Sequence, residues 1–257
     1  MKQVLLEIAL RAAHQAGAVL LKRRGEKHDV ERKGYRDVVT SADWAAEEAV
    51  LAVIGARFPG HAILSEEAGA AAGPAPYTWV IDPLDGTTNY SRGHPTFSVS
   101  VAVLRDETPL VGVVHDPVRQ QTFAAVRGDG ATVNGAPIEV SRFDRLADSL
   151  VALDWAHADV DRAWVLERLR LLAPGCRTVR SLGSAALAMA YVGAGWVDVY
   201  FARGLQPWDT AAGHLIITEA GGEITRPDGG LWRLGDPALL ATNGRVHEAV
   251  LEAWHRR

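Results

Sequence analysis

The order of helix-like and strand-like segments predicts a layered α/β or α+β fold. Three observations carry this. Two long helical patterns come first, with apolar residues recurring every three or four positions. From Thr96 to Val140 the pattern switches to period two and short apolar runs (TFSVSVAVL, PLVGVVHDP, QTFAAVRGDGATVNG, PIEV), punctuated by Gly, Asp and Asn. From about Ser149 strands and helices alternate again.

The first helix runs from about Gln3 to Arg24, with Leu5, Ile8, Ala12, Ala16 and Leu20 on its buried side and basic residues and Gly25 at its end. Glu7, Arg11, His14 and Gln15 leave one apolar face, so it reads as an amphipathic helix and not a signal peptide. The polar stretch GEKHDVERKGYRD is a loop or hairpin. Thr40-Ser41-Ala42-Asp43 opens a second helix, which stops before Phe58-Pro59-Gly60. HAILS is a short strand leading into Glu66-Glu67, AGAAAGPAP is a small-residue linker, and TWVID is a buried strand ending at Asp82. Asn134-Gly135 is the strongest hairpin signal of the middle region. Strands at LVALDW, CRTVRS and WVDVYF then alternate with helices at about 161–172, 183–192 and 208–220, and a last helix spans about 246–255. The chain divides into halves 1–145 and 146–257, with a soft boundary near Arg142 to Ser149.

With 257 residues, 48% hydrophobic and 23% charged, the composition is that of a soluble globular protein. A net charge of -4 and a pI of about 6.1, without a basic run, give no support for a nucleic-acid surface. Apolar stretches are interrupted before the roughly 20 residues a membrane span needs, so no membrane partner is expected. The single cysteine, Cys176, allows no internal disulfide and points to a reducing compartment, the cytoplasm.

IDPLDGTTN, residues 81–89, places Asp82 and Asp85 close together ahead of a glycine and two hydroxyls. Crowded carboxylates repel unless a cation lies between them or water solvates them. Glu66 follows a strand and Asp209 opens a helix, and such element ends converge on one side of a sheet. A cluster of hard oxygen ligands without cysteines suits Mg²⁺, with Mn²⁺ as a substitute. Taken singly, Glu66 also reads as a solvated loop acid and Asp209 as an acid favoured by the helix dipole. Gly86-Thr87-Thr88 can offer free backbone N–H groups to a phosphate, or Thr87 can be a simple cap. The Thr40-x-x-Asp43 spacing by itself favours capping.

TWVIDPLDGTTNY, together with DVVTSAD, SEEAG and PWDTAAGHLIITEAGG, resembles the inositol monophosphatase family, within the superfamily of lithium-sensitive, Mg²⁺-dependent sugar phosphatases that also holds fructose-1,6-bisphosphatases. The resemblance covers nearly the whole chain. It implies an α-β-α-β-α layered sandwich, a homodimer, and hydrolysis of a small polyol or sugar phosphate by metal-activated water. It implies two or three Mg²⁺ ions on Glu66, Asp82, the Leu84 carbonyl, Asp85 and Asp209. It assigns Glu66 and Thr87, backed by Asp43, to the attacking water, and the amides of Gly86 and Thr87 to the phosphate. Arg32 and Lys33 lie in a loop that in the family helps bind metal and phosphate.

One position departs from the family. The acid that contacts the inositol hydroxyls, seven residues before the WD aspartate, is here Ala202, which cannot accept a hydrogen bond. Arg203 follows and either favours a more anionic leaving group or points to solvent. Gly183, Ser184 and Ala185 resemble the family's substrate-side helix start. Fructose 1,6-bisphosphate, histidinol phosphate and 3′-phosphoadenosine 5′-phosphate stay open as substrates, as does a regulatory binding protein that retains the fold.

Overall fold

The computed structural model describes residues 1–25, 30–32 and 38–255, with the backbone alone for 30–32 and 38–39. Lys33 and the Arg32 side chain therefore lie outside the described residues. Helices α1 (Lys2–Arg23) and α2 (Ser41–Arg57) flank a two-stranded antiparallel pair, β1 (Val30–Arg32) and β2 (Val38–Thr40).

Eight further strands form one large sheet. They are β3 (Ala62–Ser65), β4 (Gly69–Ala71), β5 (Tyr77–Asp85), β6 (Ser98–Arg105), β7 (Thr108–Asp116), β8 (Gln121–Val126), β9 (Gly130–Val133) and β10 (Ala136–Pro137), ordered β10-β9-β8-β7-β6-β5-β3-β4. The short helix α3 (Thr87–Ser91) follows β5. The second sheet has five strands: β11 (Leu150–Leu153), β12 (Thr178–Ser181), β13 (Val199–Arg203), β14 (Glu223–Thr225) and β15 (Ala238–Thr242), ordered β12-β11-β13-β15-β14. Helices α4 (Asp159–Leu172), α5 (Ala185–Gly193), α6 (Pro207–Glu219) and α7 (His247–His255) complete the chain.

Alternation along each strand assigns the layers. Trp79, Ile81, Val101 and Val103 bury against α1 and α2 on one face of the large sheet, while Val80, Ala102, Val114 and Phe123 on the other face meet Ala186, Leu187, Ala211 and Leu215 of α5 and α6. The opposite sides of the same two helices, at Ala188, Met189 and Ile217, pack on Ala152, Tyr200 and Ala241 of the small sheet. Its outer face, at Val151, Leu153 and Phe201, is covered by Val165 of α4 and Val250 and Trp254 of α7. The result is the α-β-α-β-α sandwich.

Three details differ from the sequence reading. AGAAAGPAP is not all linker, because Gly69–Ala71 pairs with β3 as a three-residue edge strand, a place where small side chains suffice. The strand does not end at Asp82. It continues to Asp85 through a register shift between these residues, and the shift accommodates Pro83, which has no N–H for a ladder. Helix α1 is long and apolar enough to cross a membrane by length and composition, despite the interruptions noted above. Its Leu5, Ile8, Ala12, Ala16 and Leu20 are buried against the large sheet, so core packing accounts for the apolar face.

Candidate active site

Strand register brings the acids together. β3 and β5 run parallel with Ser65 opposite Ile81, so the next residues, Glu66 and Asp82, emerge side by side, and the Glu66 amide donates to the Ile81 carbonyl at 3.2 Å. Asp82 lies opposite Ser100 on β6, and the Ser100 hydroxyl donates to the Trp208 carbonyl at 3.1 Å. That bond brings the start of α6, and with it Asp209, toward the same strand end. Asp85 lies opposite Ser98, whose hydroxyl donates to Asp85 Oδ2 at 3.1 Å.

These carboxylates are electrostatically costly. Burial, then the negative charges of Glu66, Asp85 and Asp209, hold Asp82 well above the usual carboxylate range. Burial raises Asp209 in the same way, helped by Asp85, Glu66 and Asp154 and opposed by the Gln206 amide, which donates to Asp209 Oδ2 at 2.7 Å. Among the described residues no Lys, Arg or His forms an ion pair with Asp82, Asp85 or Asp209. Nor do three His, Cys, Asp or Glu side chains among them already close on one point. Asp85 instead faces α5. It accepts from the Ala185 amide at 3.0 Å, the Ala186 amide at 2.9 Å and the Ser184 hydroxyl. The donor chemistry nonetheless fits a hard divalent cation, since among the described residues oxygen ligands gather here and Glu66, Asp85 and Asp209 each add negative charge at Asp82.

Beside them stands a fully bonded group. Asp43 Oδ2 accepts from the Thr40 amide at 2.8 Å and the Thr40 hydroxyl at 2.6 Å, closing a capping box at the start of α2. Its other oxygen, Oδ1, lies 3.0 Å from the Thr87 hydroxyl, which is also 3.0 Å from the Leu84 carbonyl. Asp43 is thus at once a helix cap and the partner of Thr87. Burial raises its pKa, and these hydrogen bonds pull it back. Gly86 has φ of 97°, and a Cβ there would come within 2.9 Å of the Gly183 carbonyl, so only glycine fits the turn.

The substrate-side candidates lie as follows. Ser184 and Ala185 are the N-terminal residues of α5 that bond Asp85, and Gly183 abuts Gly86. Ala202 is buried between the small sheet and the helix layer. Arg203 is held by Asp161 of α4, its Nε donating to Oδ1 at 2.5 Å, with its guanidinium 5.9 Å from the Trp164 ring.

Two residues that the sequence reading missed shape the site. Glu47, buried on α2, accepts from the Ser65 hydroxyl and from the amides of Glu67 at 3.2 Å and Ala68 at 2.9 Å, which fixes the turn that carries Glu66. The signal available was an acid four residues after Asp43 on the stripe of Ala42, Ala46 and Val50. Asn89 ties α3 to the loop before α5, donating to the Thr96 carbonyl at 2.7 Å and the Leu182 carbonyl at 2.8 Å.

The sequence model of the inositol monophosphatase family matches residues 1–257. The chain belongs to the inositol monophosphatase family. Like the family, it is a phosphatase acting on phosphomonoesters. Among inositol monophosphatase relatives, the inositol-1-monophosphatase of Synechocystis sp. is 40% identical over 260 residues, covering 98% of this chain and 88% of that protein. The Nus factor SuhB of Pasteurella multocida is also 40% identical, over 252 residues, covering 96% and 94%. The crystal structure of the extragenic suppressor protein suhB from Bartonella henselae superposes with a TM-score of 0.95 at 33% identity, covering 98% of this chain and 99% of that one.

Proposed function

We propose that the chain is a Mg²⁺-dependent phosphomonoesterase that hydrolyses a small polyol or sugar phosphate, of the inositol 1-phosphate type, by direct attack of water. The observation that carries this reading is the gathering of Glu66, Asp82, Asp85 and Asp209, mutually repelling, beside the Asp43–Thr87 pair and the Gly86 turn. Glu66, Asp82, the Leu84 carbonyl, Asp85 and Asp209 would hold two or three Mg²⁺ ions, or Mn²⁺. Such ions supply a water of lowered pKa and neutralise phosphate and leaving alkoxide. Glu66 and Thr87, with Asp43 behind it, orient the attacking water and receive its proton. The amides of Gly86 and Thr87 hold phosphate oxygens. Within this reading the halves 1–145 and 146–257 both contribute to the site, and the enzyme is a cytoplasmic homodimer.

The test is phosphate release from myo-inositol 1-phosphate, fructose 1,6-bisphosphate, histidinol phosphate and 3′-phosphoadenosine 5′-phosphate, each with Mg²⁺ and with EDTA. Metal-dependent turnover led by inositol phosphate is the expected outcome. Turnover led by another substrate moves the substrate assignment. No turnover from a folded, Mg²⁺-binding protein defeats the hydrolase reading. A second reading, a binding role beside catalysis, is favoured by the equal identity to relatives named Nus factor SuhB. Recovery of one partner by both wild type and Asp82→Asn supports it.

A further inference from the structure

We propose that Asp154 is a positioning residue for the phosphate-holding turn at Gly86 and Thr87. The inference rests on the reading of that turn given above. Asp154 follows β11 and is 8% exposed, and Tyr200 on the neighbouring strand β13 is fully buried. The Tyr200 hydroxyl donates to Asp154 Oδ2 at 2.9 Å, and the Gly183 amide donates to Asp154 Oδ1, also at 2.9 Å. On its other side Gly183 meets the site. Its carbonyl accepts from Asn89 Nδ2 at 3.2 Å and lies 2.9 Å from where a Cβ on Gly86 would stand. The next residues, Ser184 and Ala185, bond Asp85.

The segment 182–184 is therefore clamped from behind by Asp154 and from the front by Asn89 and Asp85. One residue, Gly183, separates the buried carboxylate from the turn. Gly183 itself admits no side chain, with φ of 70° and Asn89 Nδ2 2.9 Å from the place of a Cβ. The segment thus has little room to shift without moving Gly86 or Asp85. A carboxylate is the group suited to this place, because it accepts at both oxygens and both of its partners are donors. An asparagine can keep both bonds, its oxygen toward the Gly183 amide and its NH₂ toward the Tyr200 hydroxyl, so alanine is the substitution that removes the Gly183 bond. Burial pushes the Asp154 carboxyl up to about 7, a cost consistent with a group retained for what it holds.

The experiment is calorimetric binding of inorganic phosphate at saturating Mg²⁺, together with kcat/KM on the best ester of the panel, for wild type, Asp154→Ala and Tyr200→Phe. In Asp154→Ala both phosphate affinity and kcat/KM are expected to fall about tenfold to hundredfold, the effect of displacing a site by a fraction of an ångström to an ångström. Tyr200→Phe keeps the Gly183 bond and is expected to stay within about threefold of wild type, well below the displacement effect. Asp154→Ala that melts earlier yet binds phosphate like wild type overturns the proposal, since the residue is then only structural. Equal loss in Tyr200→Phe also overturns it, because the buried pair and not the Gly183 bond would then matter. Should Asp154→Ala fail to fold, Asn89→Ala reads the front of the same clamp. It must weaken phosphate binding, and unchanged binding overturns the proposal. Wild type that binds phosphate but hydrolyses no ester defeats the hydrolase reading and leaves this one standing. Wild type that binds no phosphate defeats this one.

Discussion

Asp43, in the first turn of α2, and Asp82, at the bulge of β5, are both buried aspartates, yet their surroundings are opposite. Asp43 accepts from the Thr40 amide, the Thr40 hydroxyl and the Thr87 hydroxyl. Asp82 accepts one local bond, from the Leu84 amide at 3.0 Å, and faces three other carboxylates. The first acid is complete as it stands and can serve as a rigid brace. The second is held up by burial and by its acidic neighbours, a cost that a cation would relieve. On the proposed reading, ion binding relieves that cost, so stability and activity oppose each other at the same residues.

The largest test of that contrast is Asp82→Asn. It is expected to lower kcat/KM by about a hundredfold or more, since a lost metal ligand removes several kcal/mol of transition-state stabilisation. Initial rates across a Mg²⁺ titration check this, and activity within tenfold of wild type would remove Asp82 from the metal set.

The next effect is on stability and carries a sign. Asp82 is raised well above its ordinary value and Asp154 to about 7, both chiefly by burial. A carboxyl whose folded pKa exceeds its unfolded value leaves stability intact below about pH 4, and that stability is lost as pH rises toward the folded pKa. His115 and His214, lowered to about 4 by burial, act in the opposite sense between about pH 6.5 and 4. The readable quantity is therefore the difference between two proteins that share those histidines. In EDTA, Asp82→Asn is expected to melt higher than wild type, with a gap that widens as pH rises above about 4, while added Mg²⁺ stabilises the wild type more than the variant. A constant gap across that range would mean that Asp82 is not the strained member.

The smallest effect is expected at Arg203. Its pair with Asp161 is about a third exposed on the arginine side, and such pairs contribute only about 0.2–1 kcal/mol. Arg203→Ala is expected to lower Tm by about 1–3 °C and to leave the ratio of bisphosphate to monophosphate turnover unchanged within about twofold. A larger shift in that ratio would restore Arg203 as a specificity residue.

The layers and the acids were legible in sequence for different reasons. Period-two runs such as SVSVAVL report two buried faces directly, and TWVIDPLDGTTN concentrates acids, glycine and hydroxyls within a dozen residues. What escaped was whatever depends on pairing across long separations. Asp154 sits 29 residues from Gly183 and 46 from Tyr200, and LVALDW reads as an ordinary strand until β12 and β13 are laid beside it. The bulge at Asp82–Asp85 was hidden because a proline at a strand end and a proline inside a bulge look alike in one dimension. Asp43 was read as a cap by spacing and as a site residue by resemblance, and the fold gives it both sets of contacts.

The placement of α5 and α6 between the two sheets has a consequence for how the chain is made. The inner face of the large sheet, at Val80, Ala102, Val114 and Phe123, is covered by residues 186–216, which leave the ribosome well after strand β8. At about 5–20 residues per second, the roughly 90 residues between Val126 and Glu219 take roughly 5–20 s to synthesise. Throughout that interval an apolar sheet face waits for a cover that does not yet exist. The residues of that face are therefore synthesised well before the helices that cover them, an order that leaves apolar surface for a chaperone to shield.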